Sequence, residues 1–297
     1  MTRRCDGCGA TLASAPERIA QRCSYCDAHL VDATAVAVVD AVCPFAISQR
    51  AAMQRMREHV AGNPWLASEL RLLARRGQLR PEVLRGVLVP YFVYDARTQS
   101  RWQARIGVDW WRRETVRDKD GKTRTEHVRE TEWFELGGTA VGEWLDHLEC
   151  ASVALTAEEV DRLGGFDLGA AVAYDPRVLA GSVAELPSRT RAQVDRDATA
   201  AVRELEARRI EHKLLPGDHA RIVALATEVT LGHARLVLAP VWLASFRHGG
   251  RSHRILVHGQ HGACVGRPPL SRAKVSLAAA GFALAIVALL WLAGVWS

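Results

Sequence analysis

The chain has 297 residues, 48% hydrophobic and 24% charged, with a formal net charge of +6. That is enough to bury a sizeable core in one or two domains plus small extras, and too short for two motor domains beside everything else. Only four of the 39 basic residues are lysine (Lys119, Lys122, Lys213, Lys274), so the pI near 9.1 reflects an arginine-rich composition and fits nucleic acid or an anionic membrane surface equally well.

The first element is "CDGCGATLASAPERIAQRCSYC", Cys5 to Cys26. Cys5/Cys8 and Cys23/Cys26 are two Cys-x-x-Cys turns with fourteen residues between them. Each turn sets two thiolates on one ion, and four cysteines close a tetrahedral Zn2+ site with no position for water. The spacing predicts a structural zinc ribbon over residues 1–31, with His29 as an alternative ligand. No apolar leader precedes it, which places this part in a reducing cytosol where such pairs are metal ligands and not disulfides.

Residues 31–47 are rich in Val and predict a strand or two. Residues 48–61 predict a helix capped by Ser48, with Ala52, Met56 and His59/Val60 on one face. Asn63–Pro64 breaks it, and a second short helix follows from Trp65 to about Arg76. The body over 32–270 then carries a weak internal repeat, about 84–107 and 236–266. Each copy has Pro, an aromatic strand, a polar turn with Arg and a second strand ending in Gly. Between the copies lies a charged hairpin turning near Asp120–Gly121, short helices at 157–163 and 176–180, and a long helix over 188–212. That helix has Val194, Ala198, Ala201/Val202, Leu205 and Ile210 on one stripe. A strand pair, 221–229 and 234–239, leads into the second copy, whose turn is His248–Gly249–Gly250.

The chain closes with 22 uncharged residues, Val275 to Trp296. At 1.5 Å per residue they make about 33 Å of helix, enough for a hydrocarbon core of about 30 Å. Arg267, Arg272 and Lys274 precede them, so the expectation is a single-pass transmembrane tail in the cytoplasmic membrane with the bulk of the chain in the cytoplasm. The predicted fold class is α+β: a zinc ribbon, a mixed body with two related β-hairpin elements and intervening helices, and a C-terminal transmembrane helix.

Three stretches carry a resemblance: "LRGVLVPYFVYDA" (84–96), "FDLGAAVAYDPRVLAG" (166–181) and "LAPVWLASFRHGGRSHRILVHGQHGACVG" (238–266). Together they resemble uncharacterised bacterial zinc-ribbon proteins of the transcription-factor-IIB type, often labelled primosomal protein N-prime or superfamily II helicase. In the last stretch Arg251 stands for the family's Lys, His253 for an aromatic residue, His258 for Asn and His261 for Thr. The resemblance implies a ribbon, in some members transmembrane segments, and no established activity.

The residues argue against a motor. "GKT" at 121–123 lacks the glycine five positions earlier, where Val116 stands. No Gly-x-Ser-x-Gly, His-Glu-x-x-His or dinucleotide fingerprint occurs. His253, His258, His261 and Cys264 invite a second metal site, but His253 and His258 are five apart in a strand and face opposite sides. Asp167, Asp175 and Glu185 read as caps and turn formers. The basic-aromatic stretch 97–117 is the nucleic-acid candidate, with Arg101, Trp102, Arg105, Arg112 and Arg113 for phosphates and stacking. The alternative there is a hairpin with Trp inward and Arg solvated. The functional expectation is a non-enzymatic, membrane-tethered adaptor for a protein partner, or a membrane-associated nucleic-acid-binding protein.

Overall fold

The computed structural model describes residues 2–4, 11–13, 18–22, 29–31, 39–117, 123–175, 183–266, 269 and 271–292. They fall into two units: residues 1–91, 150–188 and 236–297, and residues 92–149 and 189–235.

In the first unit, β1 (Thr2–Arg4) pairs with β2 (Thr11–Ala13), and β3 (Arg18–Arg22) pairs with β4 (His29–Val31). The expected ligands Cys5, Cys8, Cys23 and Cys26 lie in the segments that these hairpins bracket, outside the described residues. Strand β3 does not belong to a ribbon standing apart. It pairs on its other side with β9 (Val183–Glu185), Ala20 opposite Ala184, and so enters the main sheet. Among the described residues no group of three or more His, Cys, Asp or Glu could hold a metal ion. Of the expected 31–47 strands the described part is β5 (Ala41–Val42), parallel to β11 (Arg235–His248) and antiparallel to β8 (Val172–Ala173).

Helix α1 (Gln49–Gly62) starts where the hydroxyl of Ser48 accepts from the Ala51 amide at 3.2 Å. Its face Ala52, Met56, Val60 is fully buried, as the spacing predicts. Asn63 accepts from the Trp65 amide in a turn, so α2 starts later than expected, at Ser68–Arg75. Leu70 and Ala74 of α2 join that face against Ala244 and Phe246 of β11 and Ile255 and Val257 of β12 (Arg251–His258). The β11–β12 hairpin turns at Gly249–Gly250, with φ of 59° and 73°, where side-chain-free residues are required. Strand β13 (Cys264–Gly266) completes that edge.

The first copy of the expected repeat is not a hairpin. Val83–Arg117 is one continuous strand, β6, whose first part belongs to this unit. The polar residues read as a turn are the outward positions of an uninterrupted alternation.

Helix α3 (Ala157–Leu163) forms as expected, behind a capping box of Thr156 and Glu159; the expected 176–180 helix lies outside the described residues. Helix α5 (Arg272–Leu292) begins before the expected span and takes Lys274 into its first turn. There Lys274 Nζ donates to the carbonyls of Pro64 and Leu66, both at 3.0 Å. Its apolar side chains Leu277, Phe282, Leu284 and Leu289 are exposed. Among the described residues no helix is long and apolar enough to cross a membrane. This corrects the expected span over 275–296 and the single-pass placement built on it. The fold class is corrected with it: the described residues form a large mixed sheet with helices, not a ribbon, a body and a membrane helix.

The second unit is built on the rest of β6. Strand β7 (Thr123–Cys150) pairs along one side and β10 (His219–Leu231) along the other. The expected turn at 120–121 lies outside the described residues. Helix α4 (Arg191–Arg209) lies on one face of this sheet and ends in a π-helical turn, Ile210–Leu214.

Candidate functional site

Alternation decides which side chains of β6 are available. Ala96, Thr98, Ser100, Trp102, Ala104 and Ile106 are buried on the α4 side, and Arg97, Gln99, Arg101, Gln103 and Arg105 are exposed on the other. Trp102 is only 9% exposed and its ring lies against Gly138, where a Cβ would stand 2.7 Å from it. The sequence candidates Arg101 and Arg105 therefore share the open face, whereas Trp102 is core and has no free ring for stacking.

Two polar anchors hold α4 over the inner face. Near its start, Asp195 accepts from the Tyr94 hydroxyl at 2.7 Å and from Arg191 Nε at 2.6 Å. Burial and the Asp195 carboxylate push the Tyr94 phenol up. Near its end, Glu206 is fully buried and clamped by Arg209 at 2.6 and 2.8 Å. The Arg209 guanidinium holds the Glu206 carboxyl below its usual range, against the burial that would raise it. Gly142 passes so close that a Cβ there would meet Thr98 Oγ1 at 2.6 Å and Glu206 Oε2 at 2.7 Å.

With the helix fixed on one face, the other face is open. Strand β10 adds Arg221, Ala224, Ala226, Glu228 and Thr230, all exposed. The register sets Arg221 directly opposite Arg105, Ala226 opposite Arg101 and Glu228 opposite Gln99. Arg97 is paired with Glu143 at 3.3 Å, and Arg105 lies 5.7 Å from the Trp133 ring. Arg101, Arg105 and Arg221 have no carboxylate partner among the described residues. Small neighbours beside the long Arg and Gln side chains leave a trough of about 340 Å³, lined by Gln99, Arg101, Thr139, Val141, Ala226 and Glu228.

Beyond Gly107, where β10 ends, β6 and β7 continue as a two-stranded arm. Asp109 gathers Thr131 and Arg129 of β7 and His219 of β10 at its root. The Thr131 hydroxyl and then Arg129 hold its carboxyl low. Arg112 is ion-paired with Glu130 at 2.7 Å and Glu114 at 3.3 Å. Arg113 is exposed on the arm, away from the Arg101–Arg105 row. Trp110, Trp111, Trp133 and Phe134 of the arm are between 43% and 62% exposed.

The other candidates do not converge. His258 is buried, its ring stacked 3.5 Å from His261 and 4.1 Å from Phe166; its Nε2 donates to the Gly165 carbonyl. His253 stacks on Phe246 instead. Burial pushes the Cys43 thiol up to about 11 and the Cys264 thiol up to about 12, so neither is a thiolate nucleophile. Asp167 caps the turn at Leu168–Ala170, and Glu185 accepts from Ser152.

No family model, curated protein or solved structure matches the chain. Sequence reading missed Arg221 and Glu228, because their place beside Arg105 and Gln99 depends on a strand pairing across more than a hundred residues. It also missed Glu206, whose only local mark was a carboxylate within the apolar stripe of α4.

Proposed function

We propose that the protein is a non-enzymatic nucleic-acid-binding protein whose contact surface is the open sheet face of the second unit. The observation that carries this reading is the Arg105–Arg221 pair. Like charges directly opposite on one face of a sheet destabilise it. Here they persist with no carboxylate in ion-pair contact among the described residues and with Arg101 along the same row. A phosphate backbone supplies the missing anions, and Gln99 and Gln103 add neutral hydrogen-bonding groups between the cations. Trp102, an expected contact, is buried on the other face.

The test is a salt titration of single-stranded and duplex DNA and RNA binding to the full chain. Binding should weaken linearly in log–log form. Changing Arg101, Arg105 and Arg221 together to Gln should lower the slope by about 2–3, roughly one per lost phosphate contact. A triple variant with unchanged affinity and slope would remove the reading.

The arm favours a second reading, a protein partner. Trp, Phe and Arg are the residue types that anchor protein interfaces, and Trp110, Trp111 and Phe134 stand exposed among paired charges. Trp111→Ala would then abolish capture of that partner while leaving nucleic-acid affinity unchanged.

A further inference from the structure

We infer that the trough on the open face is a nucleobase site that selects guanine in an unpaired strand. The inference rests on the proposal that this face binds nucleic acid.

The trough is a concavity on the open face, about 340 Å³ in volume, with the cationic row running into it at Arg101. Glu228 and Gln99 stand directly opposite each other across β10 and β6, and Ala226 opposite Arg101 leaves the space between them. Glu228 has no ion-pair partner among the described residues, although it shares the trough with Arg101, whereas Glu143 on the same face is taken by Arg97. A carboxylate here costs affinity for phosphate unless it reads something other than phosphate.

What it can read follows from its chemistry. An ionised carboxylate only accepts, and its two oxygens take two parallel N–H donors. Among the four bases, guanine alone presents two adjacent donors, N1–H and the exocyclic N2 amino group, on its Watson–Crick edge. Cytosine and adenine offer one amino group beside an acceptor, and uracil or thymine one imide N–H between two acceptors. The Arg101 guanidinium, on the same wall, donates to guanine O6 or N7, or to the flanking phosphate. The Gln99 amide supplies either a donor or an acceptor. In a duplex the Watson–Crick edge is occupied, so this recognition requires an unpaired base.

The experiment measures the affinity of the full chain for labelled ten-nucleotide strands of thymidine with one central guanine, adenine, cytosine or inosine. Inosine is guanine without the N2 amino group. The guanine strand should bind about 10-fold tighter than the all-thymidine strand. Inosine should lose that gain, and so should Glu228→Gln with guanine. Glu228→Gln should leave thymidine binding equal or slightly tighter. Equal affinity for all strands overturns the inference, as does a guanine preference that survives both inosine and Glu228→Gln. If instead no strand binds and the Arg101/Arg105/Arg221 variant changes nothing, the parent proposal fails and takes this one with it.

Discussion

Glu206 shows how a single residue sets the geometry of the face on the far side of the sheet. Its carboxylate is fully buried and satisfied by Arg209, and it fixes the end of α4 against β6 and β7. Truncating one partner of a buried charge pair leaves the other uncompensated. Glu206→Ala should therefore cost on the order of 3 kcal/mol in urea unfolding. Gly142→Ala, which drives a methyl into Thr98 and Glu206, should cost about 1–3 kcal/mol by overpacking. His258 makes a second residue-scale prediction. Burial, and then the neighbouring His261, push its imidazole down to about 4, and the neutral ring donates to Gly165 and accepts from the Gln260 amide. The unfolded chain takes up this proton near pH 6.5, before the folded one does. The contribution is thus complete above about 6.5 and is lost as pH falls toward about 4, a change on the order of 3 kcal/mol. His258→Asn should flatten the stability curve in that window, and an unaltered acid limb would refute the assignment.

At the scale of elements, what was legible followed local rules. Ser48 and the Ala52–Met56–Val60 spacing announced α1, and Gly249–Gly250 announced the β11–β12 turn. The α4 stripe was visible too, although its start is set by the Thr190–Gln193 capping box, a few residues inside the expected boundary. Thr190→Ala should therefore cost about 1 kcal/mol in thermal unfolding and leave the nucleic-acid salt slope unchanged. What was not legible depended on distant partners. The polar residues from Asp95 to Gln103 suggest a turn in isolation, and only β10 and β7 on either side make them the outer row of a continuous strand. The entry of β3 into the main sheet through β9 depends on a pairing across more than 160 residues, which no spacing of cysteines announces. The apolar run of α5 was plain in the sequence, but composition alone does not say what a helix packs against.

For the whole molecule, the net charge of +6 said little, because it is an average over paired and unpaired arginines. Arg112, Arg97 and Arg209 are ion-paired with carboxylates; among the described residues Arg101, Arg105 and Arg221 are not. What distinguishes the open face is the unrelieved Arg105–Arg221 repulsion and not the count of charges. Under the proposed function Arg221 does two opposed things: it should weaken the free fold by facing Arg105 and strengthen the bound state by meeting phosphate. The most direct measurement is the stability and the nucleic-acid affinity of Arg221→Gln, taken side by side. The account predicts a fold more stable by about 0.2–1 kcal/mol, with weaker binding and a salt slope lower by about one. A variant that is less stable than the parent and binds as well would contradict it.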